Sequence, residues 1–170
     1  ARCPSPARLP GSHEDVLLIR GFGKTYACTG WRLGYAAGPR ELIAEMAKIQ
    51  QYTFVCAPSA FQHGVSECFS VDMSDQVRQY QRRRDYVVQR LAPLTDVPTP
   101  GGAFYAFPKI PAKLGISDTE FVERCVERNV LVIPGSVFST KTDRVRISYA
   151  TRMDQLERGL DVICELMGKG

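Results

Sequence analysis

The chain has 170 residues, 44% of them apolar and 24% charged, and a net charge of +4. That composition is ordinary for a globular protein and supplies apolar material for one domain with a sizeable core, or for parts of two. No apolar run is long enough to span a bilayer, the N-terminal stretch lacks the apolar core of a secretion signal, and the basic cluster Gln81-Arg-Arg-Arg84 is followed by Asp85, reading as a solvated helix face and not as a nucleic-acid patch.

The first dozen residues are proline-rich and irregular. Short strands are expected near 16–20 and 32–37, with Lys24 in the loop between them. Pro39 opens a helix whose Leu42, Met46 and Ile49 repeat at i, i+4 and i+7, predicting one apolar face. A second helical stretch runs over 58–69. Ser74 can cap a long charged helix ending near Leu91. Its apolar residues are sparse (Val77, Tyr80, Val87, Val88, Leu91), which predicts a helix bridging two bodies. Pro93, Pro98 and Pro100 interrupt regular structure, and Gly101-Gly-Ala-Phe-Tyr-Ala-Phe107 reads as a strand. Ser117-Asp-Thr-Glu120 is a capping box, with Phe121, Val122, Cys125 and Val126 on the apolar side of its helix. Val130-Leu-Val-Ile133 is a strand ended by Pro134-Gly135. Residues 144–149 alternate, placing Val145, Ile147 and Tyr149 on one face and Arg144, Arg146 and Ser148 on the other. A last helix carries Met153, Leu156, Leu160, Ile163 and Met167 at steps of three and four.

The alternation of strands and helices gives an α/β class in two unequal bodies, 1–72 and 73–170, joined by the charged helix. Two strands and two helices cannot cover both faces of a buried sheet. The first body therefore either borrows strands from elsewhere or is the tail of a longer chain. The six cysteines (3, 28, 56, 68, 125 and 164) form no C-x-x-C pair, and only His13 and His63 could assist them. Their spacing predicts no metal site, and reduced thiols in a cytoplasmic protein.

Lys24 stands in a glycine-rich, aromatic stretch, GFGKTYACTGWRLGY over 21–35. Gly23-Lys24-Thr25 matches the end of a phosphate-binding P-loop, but Leu18 stands where that motif needs its first glycine. Schiff-base chemistry fits better. An attacking amine must be neutral, and removal from water lowers a lysine pKa. Phe22, Tyr26, Trp31 and Tyr35 are the expected shelter, and Arg32 would depress the pKa further and could grip a phosphate with its planar fork.

These residues resemble the lysine signature of the fold-type I, pyridoxal-phosphate-dependent aminotransferases (aspartate aminotransferase-like), commonly S-x-S-K, five residues, then G-x-R-x-G-Y. Gly21-Phe-Gly23-Lys24, Thr25 to Thr29, then Gly30-Trp-Arg32-Leu-Gly34-Tyr35 keep that spacing. Thr99 to Tyr105, Asn129 to Phe138 and Arg146-Ile-Ser-Tyr-Ala150 resemble later segments of the same family, the last being the strand that bears the substrate-carboxylate arginine.

The resemblance implies the C-terminal part of the pyridoxal-phosphate-dependent transferase fold: the end of the large-domain sheet over 1–72, then an α+β small domain over 73–170. It implies pyridoxal 5'-phosphate as cofactor, held by Lys24 with Gly21, Gly23 and Arg32 around it. Lys24 would also be the catalytic base and acid, and Arg146 would bind the substrate α-carboxylate. Implied partners are an amino acid, possibly aspartate, a 2-oxo acid, and a second copy of the chain with the site at the subunit interface. Neither nucleic acid nor membrane is implied. Glycine at 21 and 23, in place of both serines, predicts looser cofactor retention. Nothing in the first 23 residues matches the family's pyridine-nitrogen aspartate, ring-stacking aromatic or phosphate turn, so little transamination is expected of the 170 residues alone. The alternatives are a related lyase or synthase using the same cofactor, or a non-catalytic homologue serving as a dimerisation or regulatory module.

Overall fold

A computed structural model of the protein describes residues 4–168, so Cys3 lies outside the described residues. In chain order the elements are α1 (Ser12–Asp15), β1 (Leu18–Gly21), β2 (Gly34–Ala37), α2 (Arg40–Thr53), α3 (Ser59–Val65), α4 (Ser74–Leu91), β3 (Tyr105–Ala106), α5 (Asp118–Val126), β4 (Ile133–Pro134), β5 (Val145–Ser148) and α6 (Met153–Gly168). The chain divides into two compact units, the first ending at Met73 and the second beginning at Ser74.

In the first unit β1 and β2 pair antiparallel, Leu18 opposite Ala37 and Gly21 opposite Gly34. Glycine is required at 34, because a Cβ there would sit 2.6 Å from the Arg20 carbonyl oxygen. The second strand begins at Gly34, two residues later than expected, since Thr29–Trp31 wind into a 3-10 turn and Arg32 takes a left-handed φ of 52°. A two-stranded sheet is marginal by itself. Its support is a small cluster of Phe22, Leu33 and Val65, with Tyr26, Cys28, Trp31, Ala57 and Cys68 packed around it. Pro39 precedes α2 as expected, but α2 buries none of its side chains, and Leu42 and Ile49 of the predicted apolar face are exposed.

The second unit is built on a three-stranded antiparallel sheet in the order β3-β5-β4. Central β5 alternates as its sequence requires: Val145 and Ile147 point into the core, followed by Tyr149, and Arg146 lies on the opposite face. Helices α4, α5 and α6 close the core with Val87, Leu91, Phe121, Leu160 and Ile163. Helix α4 therefore belongs to the core of the second unit. Its C-terminal half carries the fully buried Val87 and Leu91, whereas Val77 near its start is exposed. The strand expected over 101–107 shrinks to Tyr105–Ala106, because Ala103 bends the chain at a φ of 58°. The one expected over 130–133 pairs only from Ile133. Among the described residues no helix is long and apolar enough to cross a membrane.

The capping box forms in full. The Ser117 hydroxyl accepts from the Glu120 backbone N–H at 3.2 Å, and the Glu120 carboxylate accepts from the Ser117 N–H at 2.9 Å. Ser117→Ala is expected to lower stability by about 1 kcal/mol, the usual worth of such a cap, read as a drop in thermal unfolding temperature.

Candidate functional site

The loop joining β1 to β2 carries Lys24 and Arg32 and is shaped mainly by backbone contacts. The Phe22 N–H donates to the Leu33 carbonyl at 3.1 Å, extending the ladder one step past Gly21. The Tyr26 N–H donates back to the Phe22 carbonyl at 3.1 Å, and the Trp31 N–H to that of Cys28 at 3.0 Å. The two sides of the loop then meet at Gly23, where a Cβ would lie 3.2 Å from the Thr29 Cα. On the far side of that contact an Arg32 Nη donates to the Thr29 carbonyl at 3.0 Å. Thr29 is thus the hinge point between the residue before Lys24 and the guanidinium of Arg32. Gly21 is looser: a Cβ there would meet only the Leu33 oxygen, at an ordinary 3.8 Å.

The expected aromatic shelter does not close over Lys24, which is exposed, as is Arg32. The rings pack on one another instead. Phe22 lies 5.6 Å from Tyr35 and 5.5 Å from Phe69 between centroids, and Trp31 stacks on Phe61 at 4.9 Å. Ring-on-ring packing is how this unit assembles its small core, and the aromatic faces are taken up in it.

The two arginines of β5 and its edge have different surroundings. Arg144 is committed to the scaffold: it donates to the Phe107 carbonyl at 3.0 Å and to the Asp96 carboxylate at 3.3 Å. Arg146 makes neither kind of bond. Its guanidinium carbon sits over the ring of Phe138 at 4.1 Å and that of Tyr105 at 4.4 Å. Among the described residues its N–H donors have no carboxylate or carbonyl partner, which leaves a planar fork able to take a carboxylate. Sequence spacing gave no sign of the two rings, since Tyr105, Phe138 and Arg146 come from three separate segments.

Asp118 was also not visible as more than a helix-start residue. It is 2% exposed. One carboxylate oxygen accepts from the Thr119 N–H at 3.0 Å and the other from the Ser136 N–H at 2.8 Å. Burial alone would raise its pKa. Hydrogen bonds from the Ser136 backbone and hydroxyl, and from the Thr119 and Asp118 N–H groups, outweigh burial and hold the carboxyl below its ordinary value. Burial also pushes the Cys125 thiol up to about 11, marking it as an inert core residue.

Comparison with known proteins shows the family to which the chain belongs. Residues 6–163 match the family described as aminotransferase class I and II. The chain is 39% identical over 166 residues to the aromatic-amino-acid aminotransferase 2 of Thermococcus litoralis, and 39% identical over 166 residues to the aspartate aminotransferase of Pyrococcus abyssi. Each alignment takes in 92% of this chain and 42% of the relative. The crystal structure of an aspartate aminotransferase from Thermotoga maritima superposes with a TM-score of 0.90 at 32% identity, over 98% of this chain and 44% of that one. The chain belongs to the class I and II aminotransferase family, has part of that family's fold, and spans less than half the length of these relatives.

The buried carboxylate has a measurable consequence for pH. A carboxyl whose folded-state pKa is depressed stabilises the fold above its unfolded value, about 3.9 for aspartate, and that stabilisation is lost as pH falls through the folded-state value. Urea unfolding at a series of pH values should show Asp118→Asn less stable than the parent at pH 7. Its stability should also fall less steeply than the parent's below about pH 4, near the unfolded value.

Proposed function

We propose that the chain is the portion of a pyridoxal 5'-phosphate-dependent aminotransferase that carries the cofactor lysine and two anion-binding arginines. In this reading 1–72 is the C-terminal part of the large cofactor domain, and 73–170 is the small domain. The observation that carries it is the loop between β1 and β2, where the close approach of Gly23 to Thr29, and the Arg32 bond to Thr29, fix an amine and a guanidinium on one short segment.

The residues present fit the cofactor in kind. A primary amine suits its aldehyde and an exposed guanidinium its phosphate. When bound, pyridoxal phosphate supplies an electron sink for the charge left on a substrate Cα after deprotonation. Lys24 would hold the cofactor through its Nζ, and its amine would move the proton from the substrate Cα as base and then acid. Arg32 would bind the phosphate with the N–H groups not spent on Thr29. Arg146 takes the α-carboxylate and so orients the Cα–H bond for removal. Arg144 stays in the scaffold, bonded to the Phe107 carbonyl and the Asp96 carboxylate.

The substrates in this reading are an amino acid and a 2-oxo acid. The Pyrococcus abyssi and Thermotoga maritima relatives are named for aspartate, which supports aspartate as the donor. Two copies associate, a reading supported by the exposed apolar side chains Tyr52, Phe54 and Val55 at the end of α2. The free thiols at 28, 56, 68, 125 and 164 support a cytoplasmic setting.

The test is chemical trapping. Incubation with pyridoxal phosphate should give an imine absorbance that borohydride removes, with the reduced adduct mapping to Lys24 and absent from Lys24→Ala. A protein that stays colourless and unlabelled would overturn the reading in favour of a non-catalytic homologue. Gly21→Ser, which adds a hydroxyl where ordinary space exists, should tighten cofactor binding by about tenfold, the worth of one charge-assisted hydrogen bond, in equilibrium dialysis. Arg146→Gln should abolish binding of a substrate carboxylate and leave stability near that of the parent, whereas Arg144→Gln should do the reverse.

A further inference from the structure

The buried carboxylate of Asp118 is not explained by capping. Ser117 and Glu120 already complete the capping box at this helix end, and a charge taken out of water costs free energy that a neutral residue would not. What Asp118 adds is reach: its second oxygen leaves the helix and accepts from Ser136, 18 residues further along the chain. Ser136 is the middle of the 3-10 turn Gly135–Val137. That turn is pressed onto the strand region that carries Arg146. The Gly135 N–H donates to the Arg144 carbonyl at 2.8 Å, and a Cβ at Gly135 would lie 2.6 Å from the same oxygen. The turn ends in Phe138, whose N–H donates to the Gly135 carbonyl at 2.9 Å and whose ring meets the Arg146 guanidinium. Phe138 is 49% exposed, so core packing does not hold that ring. Its position follows from the turn, which the Gly135 bond to Arg144 and the Ser136 bond to Asp118 hold together.

We propose that Asp118 is a positioning residue for Arg146, holding through the Gly135–Val137 turn the aromatic face that aims the guanidinium at a substrate carboxylate. The inference rests on the reading of Arg146 as the carboxylate-binding group. In that arrangement one ring, Tyr105, comes from the strand paired to β5, and the other, Phe138, from the turn that Asp118 fixes. Two ring faces against a flat cation restrict its rotation and leave its N–H groups for an incoming anion, so less freedom is lost on binding.

The experiment reads Arg146 directly, without cofactor, first by its own resonance and then by its affinity for a 2-oxo acid. In the 15N-labelled protein the Arg146 Nε–Hε resonance should be displaced by the ring currents of Tyr105 and Phe138. Asp118→Asn should return it toward the position of an exposed arginine, as should Phe138→Leu. Ser117→Ala, which weakens the same helix end without touching the turn, should leave it in place. Should Asp118→Asn fail to fold, Asp118→Glu displaces the charge by one methylene and must move the resonance in the same direction. Affinity for pyruvate, measured by calorimetry, should fall about tenfold in the Asp118 variant, while that for uncharged methyl pyruvate stays as in the parent. An unmoved Arg146 resonance overturns the proposal, as does a moved one with pyruvate affinity unchanged. Unchanged pyruvate affinity in Arg146→Gln would instead sink the carboxylate reading of Arg146, a result distinct from either.

Discussion

The second unit depends on the two-residue period of β5. That alternation drives Val145, Ile147 and Tyr149 into the core and, with no further instruction, turns Arg146 to the other face. A slip of one residue would bury a guanidinium and expose the core side chains, so the hydrophobic effect that stabilises the unit also fixes the direction of the cation. Because β5 is the middle strand, its neighbours are fixed with it. Ser148 lies opposite Tyr105, and Ile133 opposite Arg146. Core and candidate binding group are two faces of one short strand.

The first unit solves a different problem with less material. Phe22, Leu33 and Val65 are its buried hydrophobic residues among those described, against more than a dozen in the second unit. Packing on that scale cannot hold a long loop by side chains alone. The segment from Phe22 to Leu33 is held in addition by its own N–H and carbonyl groups and by the glycine that lets it fold back on Thr29. A functional loop built this way can present charged side chains without burying them.

The helices and the alternating strand were legible because each rests on a local rule. The capping box, the spacing of Leu156, Leu160, Ile163 and Met167, and the period of β5 all appear as the residues prescribe. Strand lengths were not legible. Whether residues 101–104 pair depends on a left-handed Ala103, and whether 130–132 pair depends on what lies beside them in space. The apolar stripe of α2 was read correctly as a pattern, but burial is a relation to a neighbour and the pattern carries only half of it. Likewise, four aromatics around a lysine read as a pocket, whereas in three dimensions they satisfy one another. The roles argued for Phe138 and Asp118 are relations between distant segments, which no spacing rule reaches.

Trp31 is the chain's single tryptophan, and it sits in the turn between Lys24 and Arg32, stacked flat on Phe61. Indole emission from these 170 residues therefore originates in the first unit, next to the loop, while the second unit carries tyrosines and phenylalanines but no tryptophan. The same stacking that anchors the turn also gives the molecule an intrinsic optical label for that region. Melting of the first unit can on this account be followed by indole emission without any added dye.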